Sequence, residues 1–277
     1  MNLGSKPEPK YDYTGYDLKY INYKFNDLKY LITGTGRCGT VYMAKLLSSV
    51  GYPCTHEAVF KHDGIEAAHL RLNGSLHTDL SEISKLASVV DESNNISWFG
   101  HRRQSVAETT VNIVAEASYM AAPFIKDESL KNATIIHVVR KPIDVINSFV
   151  AGFKYFENWC LTEPDYAEYH NFIYSYVPSL KEPMTALCRA ARYYIEWNKM
   201  IERLSEGKNY ILHRVENSPE KLLKRLNVST KDYYKNTQAN HKEGLKQQFT
   251  YNDISIPAIR QELLDMESKY YKSLKVL

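Results

Sequence analysis

The chain has no C-x-x-C pair among its four cysteines, Cys38, Cys54, Cys160 and Cys188. At 277 residues it is long enough to build a core without covalent staples. A disulfide framework and a paired-cysteine zinc site are therefore not expected, and a reducing compartment is. Long apolar runs are also missing: the longest mostly apolar stretch, Val111 to Ile125, contains Glu116 and is too short to cross a bilayer. The segment Met1 to Lys10 is polar and carries two prolines, unlike a secretory signal. These absences predict a cytoplasmic protein with no stable membrane insertion. An excess of one charge is lacking too. The net charge of +3 is too small for a generic nucleic-acid-binding surface, though it leaves room for a local basic pocket. There is no Gly/Ser run, no Pro-rich stretch and no internal repeat, so residues 1–277 read as one domain.

What is abundant is tyrosine, 22 in all, with many in the first 30 positions. Residues 1–25 read as an irregular, tyrosine-rich lead-in that has room for a short edge strand. Strands are expected at about 29–33, 52–56, 111–115, 134–139 and 209–213, from short β-branched or apolar runs between turn signals. Helices are expected at about 40–50, 183–205 and 257–275, with others opened by Pro142 and by Ser218-Pro219-Glu220. Residues 119–129 read as helix or loop, and 61–105 are polar with weak helical signals. Strands alternating with helices predict a three-layer α/β fold around a mainly parallel sheet. In such sheets, ligands bind at the carboxyl ends of the strands.

The richest segment follows the first expected strand: Gly34-Thr-Gly36-Arg37-Cys38-Gly39-Thr40-Val41-Tyr42. Strand, glycine-rich turn and helix together make an anion site. Three motifs fit the letters. Gly34, Gly36 and Gly39 satisfy G-x-G-x-x-G, with Glu57 18 positions further on, as in a dinucleotide site where an acid binds ribose. Gly34 and Gly39 also satisfy the outer part of a triphosphatase loop, but Thr40 and Val41 replace its Lys and Ser/Thr. The third reading centres on Arg37. Its guanidinium faces the ligand, N–H groups from Gly36 to Val41 cradle an anion, and the Thr40 hydroxyl adds a donor.

A second segment, Arg140-Lys-Pro142-Ile-Asp144-Val-Ile-Asn-Ser148, follows the strand at 134–139. Arg140 and Ser148 can donate to a second phosphate. A ligand phosphorylated at two ends uses both sites; a nicotinamide dinucleotide has no use for the second.

With both segments in view, the chain resembles the P-loop sulfotransferases that use 3′-phosphoadenosine 5′-phosphosulfate (PAPS). Gly36 to Tyr42 resembles their 5′-phosphosulfate loop, and Arg140 to Ser148 their R-x-P-x-D-x-x-x-S 3′-phosphate motif. Tyr194 to Ile201, Arg214-Val-Glu216 and Ser218-Pro219-Glu220 resemble the family's C-terminal half. The resemblance implies a P-loop nucleotide-triphosphatase-like fold. It also implies sulfuryl transfer to a hydroxyl or amine of a small-molecule or glycan acceptor, 3′,5′-ADP as product and no metal requirement. Arg37 then binds the 5′-phosphate and bridging oxygen, and Gly36, Cys38, Gly39, Thr40 and Val41 complete the cradle. Tyr42 takes an aromatic position near adenine, and Arg140 and Ser148 take the 3′-phosphate. Glu57 is the expected general base, with His56 beside it as rival, since alternation along a strand points only one of the two at the site.

Departures from the family pattern narrow the reading. The K-T-H motif of phenol and steroid sulfotransferases is replaced by Glu116-Ala-Ser118, which favours a glutamate base and makes Glu116 a possible second carboxylate. The late R-K-G phosphate loop survives only in part, as His241-Lys242-Glu243-Gly244, with Lys242 as its cation. Cys38 stands where a serine is usual and is a weaker donor. His101-Arg102-Arg103 offers a basic cluster for an anionic acceptor. Trp98, Phe99, Trp159 and the Tyr166–Tyr176 group are expected to flank the pocket. Two other classes compete: a Rossmann-type NAD(P)- or FAD-dependent oxidoreductase and a non-catalytic nucleotide-binding protein.

Overall fold

The computed structural model describes residues 21–76, 88–90, 96–98, 109–152, 154–157, 164–228, 233 and 248–273. Its centre is a five-stranded, all-parallel sheet flanked by helices. In chain order the elements are β1 (Ile21–Thr33), α1 (Thr40–Ser49), β2 (Cys54–His56) and α2 (Gly64–Leu72). A small antiparallel hairpin follows, β3 (Ser88–Val90) and β4 (Ile96–Trp98). Then come β5 (Thr109–Ala117), β6 (Thr134–Val139), α3 (Pro142–Asn147) and α4 (Pro164–Tyr176). The chain continues with α5 (Ala186–Leu204), β7 (Tyr210–Arg214), α6 (Glu220–Arg225) and α7 (Pro257–Ser273). The strand order is β2-β5-β1-β6-β7, so the strand that feeds the glycine loop lies at the centre.

The strand allowed for in the lead-in is present at 21–25, as the first part of the central β1 rather than as a separate edge strand. Ile21 to Phe25 pair in register with Thr109 to Ile113, and the register shifts before pairing resumes at Tyr30. The interruption covers Asn26-Asp27, which in sequence reads as a turn signal. A bulge in a long strand uses the same residues. Between Tyr119 and Leu130 the chain forms short 3₁₀ turns, the first capped by the Ser118 hydroxyl, which accepts from the Met120 N–H. Among the described residues no helix is long and apolar enough to cross a membrane, and Cys38, Cys54 and Cys188 are buried free thiols.

Period-two alternation sends successive residues to opposite faces of the sheet. Tyr30, Ile32, Ile136 and Val138 pack with Met43, Leu46 and Leu47 of α1 and Leu222 and Leu223 of α6. Leu31, Ile135 and Val139 join Tyr193, Tyr194 and Trp197 of α5 and Leu263 and Tyr270 of α7 on the other face. His137 shares that second face. Its Nε2 meets the Asn198 Oδ1 at 2.7 Å and its Nδ1 the Tyr210 hydroxyl at 2.7 Å. Burial pushes the His137 pKa down to about 4, so the ring is neutral, as a satisfied interior imidazole should be. The pair fixes α5 lengthwise against β6.

The end of β1 passes very close to the end of β6. A Cβ added at Gly34 would lie 2.2 Å from the Val138 carbonyl oxygen and 2.6 Å from the Cys38 Sγ. Both neighbours are held in the core, so neither can yield cheaply. Gly51, by contrast, has nothing within 4 Å of such a Cβ and only its positive φ of 87° to satisfy. We expect Gly34→Ala to destabilise the protein by about 3 kcal/mol or more, as overpacking does, and Gly51→Ala by about 1 kcal/mol, the cost of a left-handed residue. Urea denaturation of the two variants checks this, and equal losses would mean that the β1–β6 approach is not tight.

Candidate active site

Because all five strands run parallel, their carboxyl ends share one edge of the sheet. The loop 34–39 leaves β1 there, Glu57 leaves β2, and Arg140 leaves β6. Two residues of the loop have positive φ, Arg37 at 67° and Gly39 at 110°. Gly39 is the N-cap of α1, which has no side-chain cap and no acidic residue in its first turn. The positive end of this ten-residue helix is thus not neutralised by its own sequence. A Cβ at Gly39 would also meet the Val215 side chain at 2.7 Å. Cys38 points inward: it is fully buried, and burial pushes its thiol up to about 12.

Arg37 turns toward the second motif. Its Nε donates to the Ser148 hydroxyl at 3.1 Å, joining residues 111 positions apart. Burial removes water from the guanidinium and lowers its pKa, while Tyr155, Tyr169 and Glu57 act in the other direction and Arg140 adds to the lowering. An arginine remains charged through such a shift. Ser148, expected to serve a separate phosphate with Arg140, therefore sits against the first site's cation. It begins a π-helical turn, Ser148–Gly152, that continues α3. The start of α3 is occupied by protein: the Lys141 N–H donates to the Glu216 carboxylate at 2.5 Å, and Glu216 also pairs with Arg214.

The expected cradle is narrower than Gly36 to Val41. The Gly36 N–H donates to the Tyr193 hydroxyl at 3.2 Å, and the Cys38 N–H closes a turn onto the Thr35 carbonyl. The Thr40 hydroxyl shares a 3.0 Å hydrogen bond with His56 Nε2. Tyr42 is buried in the core cluster beneath α1.

His56 and Glu57 were expected to diverge. They converge instead: His56 Nε2 lies 3.6 Å from Glu57 Oε1. Alternation fails because Glu57 has left the strand conformation, with φ at +54°. Left-handed backbone at a non-glycine residue costs on the order of 1–3 kcal/mol and collects at functional sites. Here it occurs at both Arg37 and Glu57, whose charges interact. The segment behind Glu57 is held by backbone contacts. The Glu57 N–H donates to the Ala117 carbonyl, the Val59 N–H to the Glu116 carboxyl at 3.0 Å, and Arg71, paired with Asp63, donates to the Val59 carbonyl at 2.9 Å.

Glu116 is fully buried and receives the Thr55 hydroxyl. It braces the Glu57 segment from behind rather than lining an open surface. Near Arg37, Tyr155 stacks on Tyr169 of α4 at 5.0 Å, and His62 meets the Tyr119 hydroxyl at 2.6 Å within the same group of rings. Lys242, the His101-Arg102-Arg103 cluster, Phe99 and Trp159 lie outside the described residues, and so does the side chain of Trp98. Sequence reasoning missed Tyr193 and Tyr155 as parts of this region, and picked out Glu216 only within the Arg214-Val-Glu216 segment. No local signal distinguishes them, since each acts on chain remote in sequence. No protein-family model matches this chain, and no curated protein matches it in sequence.

Burial raises the Glu116 pKa from 4.5 to about 7, with the Glu57 charge adding to the effect and the Thr55 and Val59 hydrogen bonds opposing it. Between those two values the folded state keeps a proton that the unfolded chain releases. Stability from this group is therefore full below about pH 4.5 and falls as pH rises toward 7. The loss is on the order of 3 kcal/mol. Glutamine supplies the same donor and acceptor without a titrating proton. Glu116→Gln should lose less stability than wild type between pH 5 and pH 8 in urea denaturation; an equal loss in both would assign it to other groups.

Proposed function

We propose that this protein is a sulfotransferase on a P-loop nucleotide-triphosphatase-like fold, moving a sulfuryl group from PAPS to an acceptor hydroxyl or amine. The observation that carries the reading is the meeting of Arg37 and Ser148. Two anion-binding motifs, far apart in sequence, come together at the carboxyl ends of adjacent strands, with a carboxylate held opposite. We read this basic edge as able to take a nucleotide phosphorylated at both the 5′ and 3′ positions.

The dinucleotide alternative is less well supported. Its ribose acid should stand on the strand next to β1, in the order 3-2-1-4-5-6, whereas Glu57 follows β2, which β5 separates from β1. Its second glycine should leave room for pyrophosphate. At Gly36 that space is filled, since a Cβ would meet the Phe149 ring at 3.0 Å and the Tyr169 hydroxyl at 3.7 Å.

In the proposed reaction the acceptor oxygen or nitrogen forms a bond to sulfur as the bond from sulfur to the 5′-phosphate oxygen breaks. Arg37, with the open end of α1, stabilises the charge that collects on the departing phosphate. Ser148 holds the guanidinium in line until a phosphate oxygen competes for it. Glu57 receives the acceptor's proton, and His56 fixes the Thr40 hydroxyl beside it. Positioning and charge do the work, as in phosphoryl transfer. His56 touches both Thr40 and Glu57 and is read as the residue that orients the base.

Calorimetry with 3′,5′-ADP and with NADH tests the class: 3′,5′-ADP should bind and NADH should not, and the reverse result overturns the proposal. Arg37→Ala should weaken 3′,5′-ADP by at least about tenfold, the scale of one charge-assisted contact. For the base, Glu57→Gln should keep 3′,5′-ADP affinity while turnover falls about 100-fold or more, followed as 3′,5′-ADP release across a panel of phenols, sugars and amines. Unchanged turnover would remove Glu57 from the mechanism.

A further inference from the structure

We propose that two consecutive tyrosines of α5, Tyr193 and Tyr194, are positioning residues that set the distance between the two phosphate sites. Each hydroxyl holds the backbone of a different motif. The Tyr193 oxygen accepts the Gly36 N–H at 3.2 Å, at the start of the Arg37 turn. The Tyr194 hydroxyl donates to the Arg140 carbonyl at 2.8 Å, at the head of the second motif. Neighbouring residues on a helix diverge by about 100°, so one helix turn reaches both loops. Both side chains are fully buried, where a polar tip is retained only if it is bonded.

The helix that carries them cannot slide. One turn further on, Asn198 bonds His137 of β6 through its Oδ1 at 2.7 Å and the Tyr194 carbonyl through its Nδ2 at 2.7 Å. At the other end, Arg189 donates to the carbonyls of Leu180 and Phe156. Packing rigidifies the rings as well: Tyr193 lies 5.3 Å from both Phe156 and Trp197 and 5.5 Å from Phe149. The gap between Gly36 and Arg140 is thereby measured by a stiff ruler rather than by two independent loops. That the two loops hold phosphates rests on the sulfotransferase reading; the two tyrosine contacts do not.

The two hydroxyls should separate in their effects. Tyr194→Phe frees only the Arg140 backbone, so 3′,5′-ADP should weaken five- to tenfold while 5′-AMP is unchanged, the scale of one neutral hydrogen bond. Tyr193→Phe frees the Arg37 turn, so both nucleotides should weaken by a similar factor. A structural role alone would lower thermal stability without changing the ratio of the two affinities. Wild-type binding of 3′,5′-ADP with an unaltered ratio in Tyr194→Phe overturns the proposal. Amide hydrogen exchange on the wild-type protein covers variants that fail to fold: the Gly36 amide should be protected with no nucleotide present, and prompt exchange overturns the Tyr193 contact. Absence of 3′,5′-ADP binding in wild type would reject the sulfotransferase reading, and the Gly36 measurement would still decide this one.

Discussion

A desolvated guanidinium bonded to a neutral hydroxyl is the interaction around which this site is built. Arg37 gives its Nε–H to Ser148, an acceptor that satisfies geometry without neutralising charge. That bond has structural prerequisites at every level. β1 and β6 must be adjacent and parallel, so that their exits share an edge. Gly34 must lack a side chain for the exits to lie so close. Arg37 must adopt left-handed backbone to turn across the gap. The π turn after α3 must begin at Ser148, a distortion that recurs at functional positions in helices.

The charges around that bond form a gradient. On one side lie Arg37, Arg140 and the uncapped end of α1. On the other lies Glu57, partly exposed, with Glu116 behind it. Two fully ionised carboxylates there would compete for the guanidinium with the anionic ligand proposed for the site. Burial raises the Glu116 pKa to about 7, so near neutrality this carboxyl is only partly ionised. A carboxyl that braces a backbone segment thus also limits the field against which the cation must work.

The sequence made the sheet largely legible because strands and helices differ in period. The β-branched apolar run of 134–139 and the long apolar face of α5 needed no tertiary information. Two failures have clear physical origins. Asn26-Asp27 signals a turn locally, yet pairing with β5 on either side carries the strand through as a bulge. Glu57 was placed by alternation, which presumes β backbone, and a positive φ cancels that presumption. At the site, the residue types and their order were readable: an arginine in a glycine turn, a second arginine after a strand, an acid after another. The partners were not. Tyr193 reaches Gly36 across 157 positions, and nothing near Tyr193 marks it among 22 tyrosines.

The use of tyrosine there follows from what the site must not contain. Four contacts that hold the loop and its neighbours are between neutral groups: Tyr193 to Gly36, Tyr194 to the Arg140 carbonyl, His137 to Asn198, Thr40 to His56; the Glu216 carboxylate at Lys141, paired with Arg214, is a charged contact beside them. The tight Arg71–Asp63 pair is kept to the outer side of the Glu57 segment. An ion pair in the position of Tyr193 would fix the loop as firmly, but it would place a compensating charge within a few ångströms of Arg37. A phenol gives a large apolar body to the core and a single hydroxyl to the backbone. It therefore supplies rigidity without adding a charge that would oppose the anion binding proposed for the site, and two in succession supply it to both motifs at once.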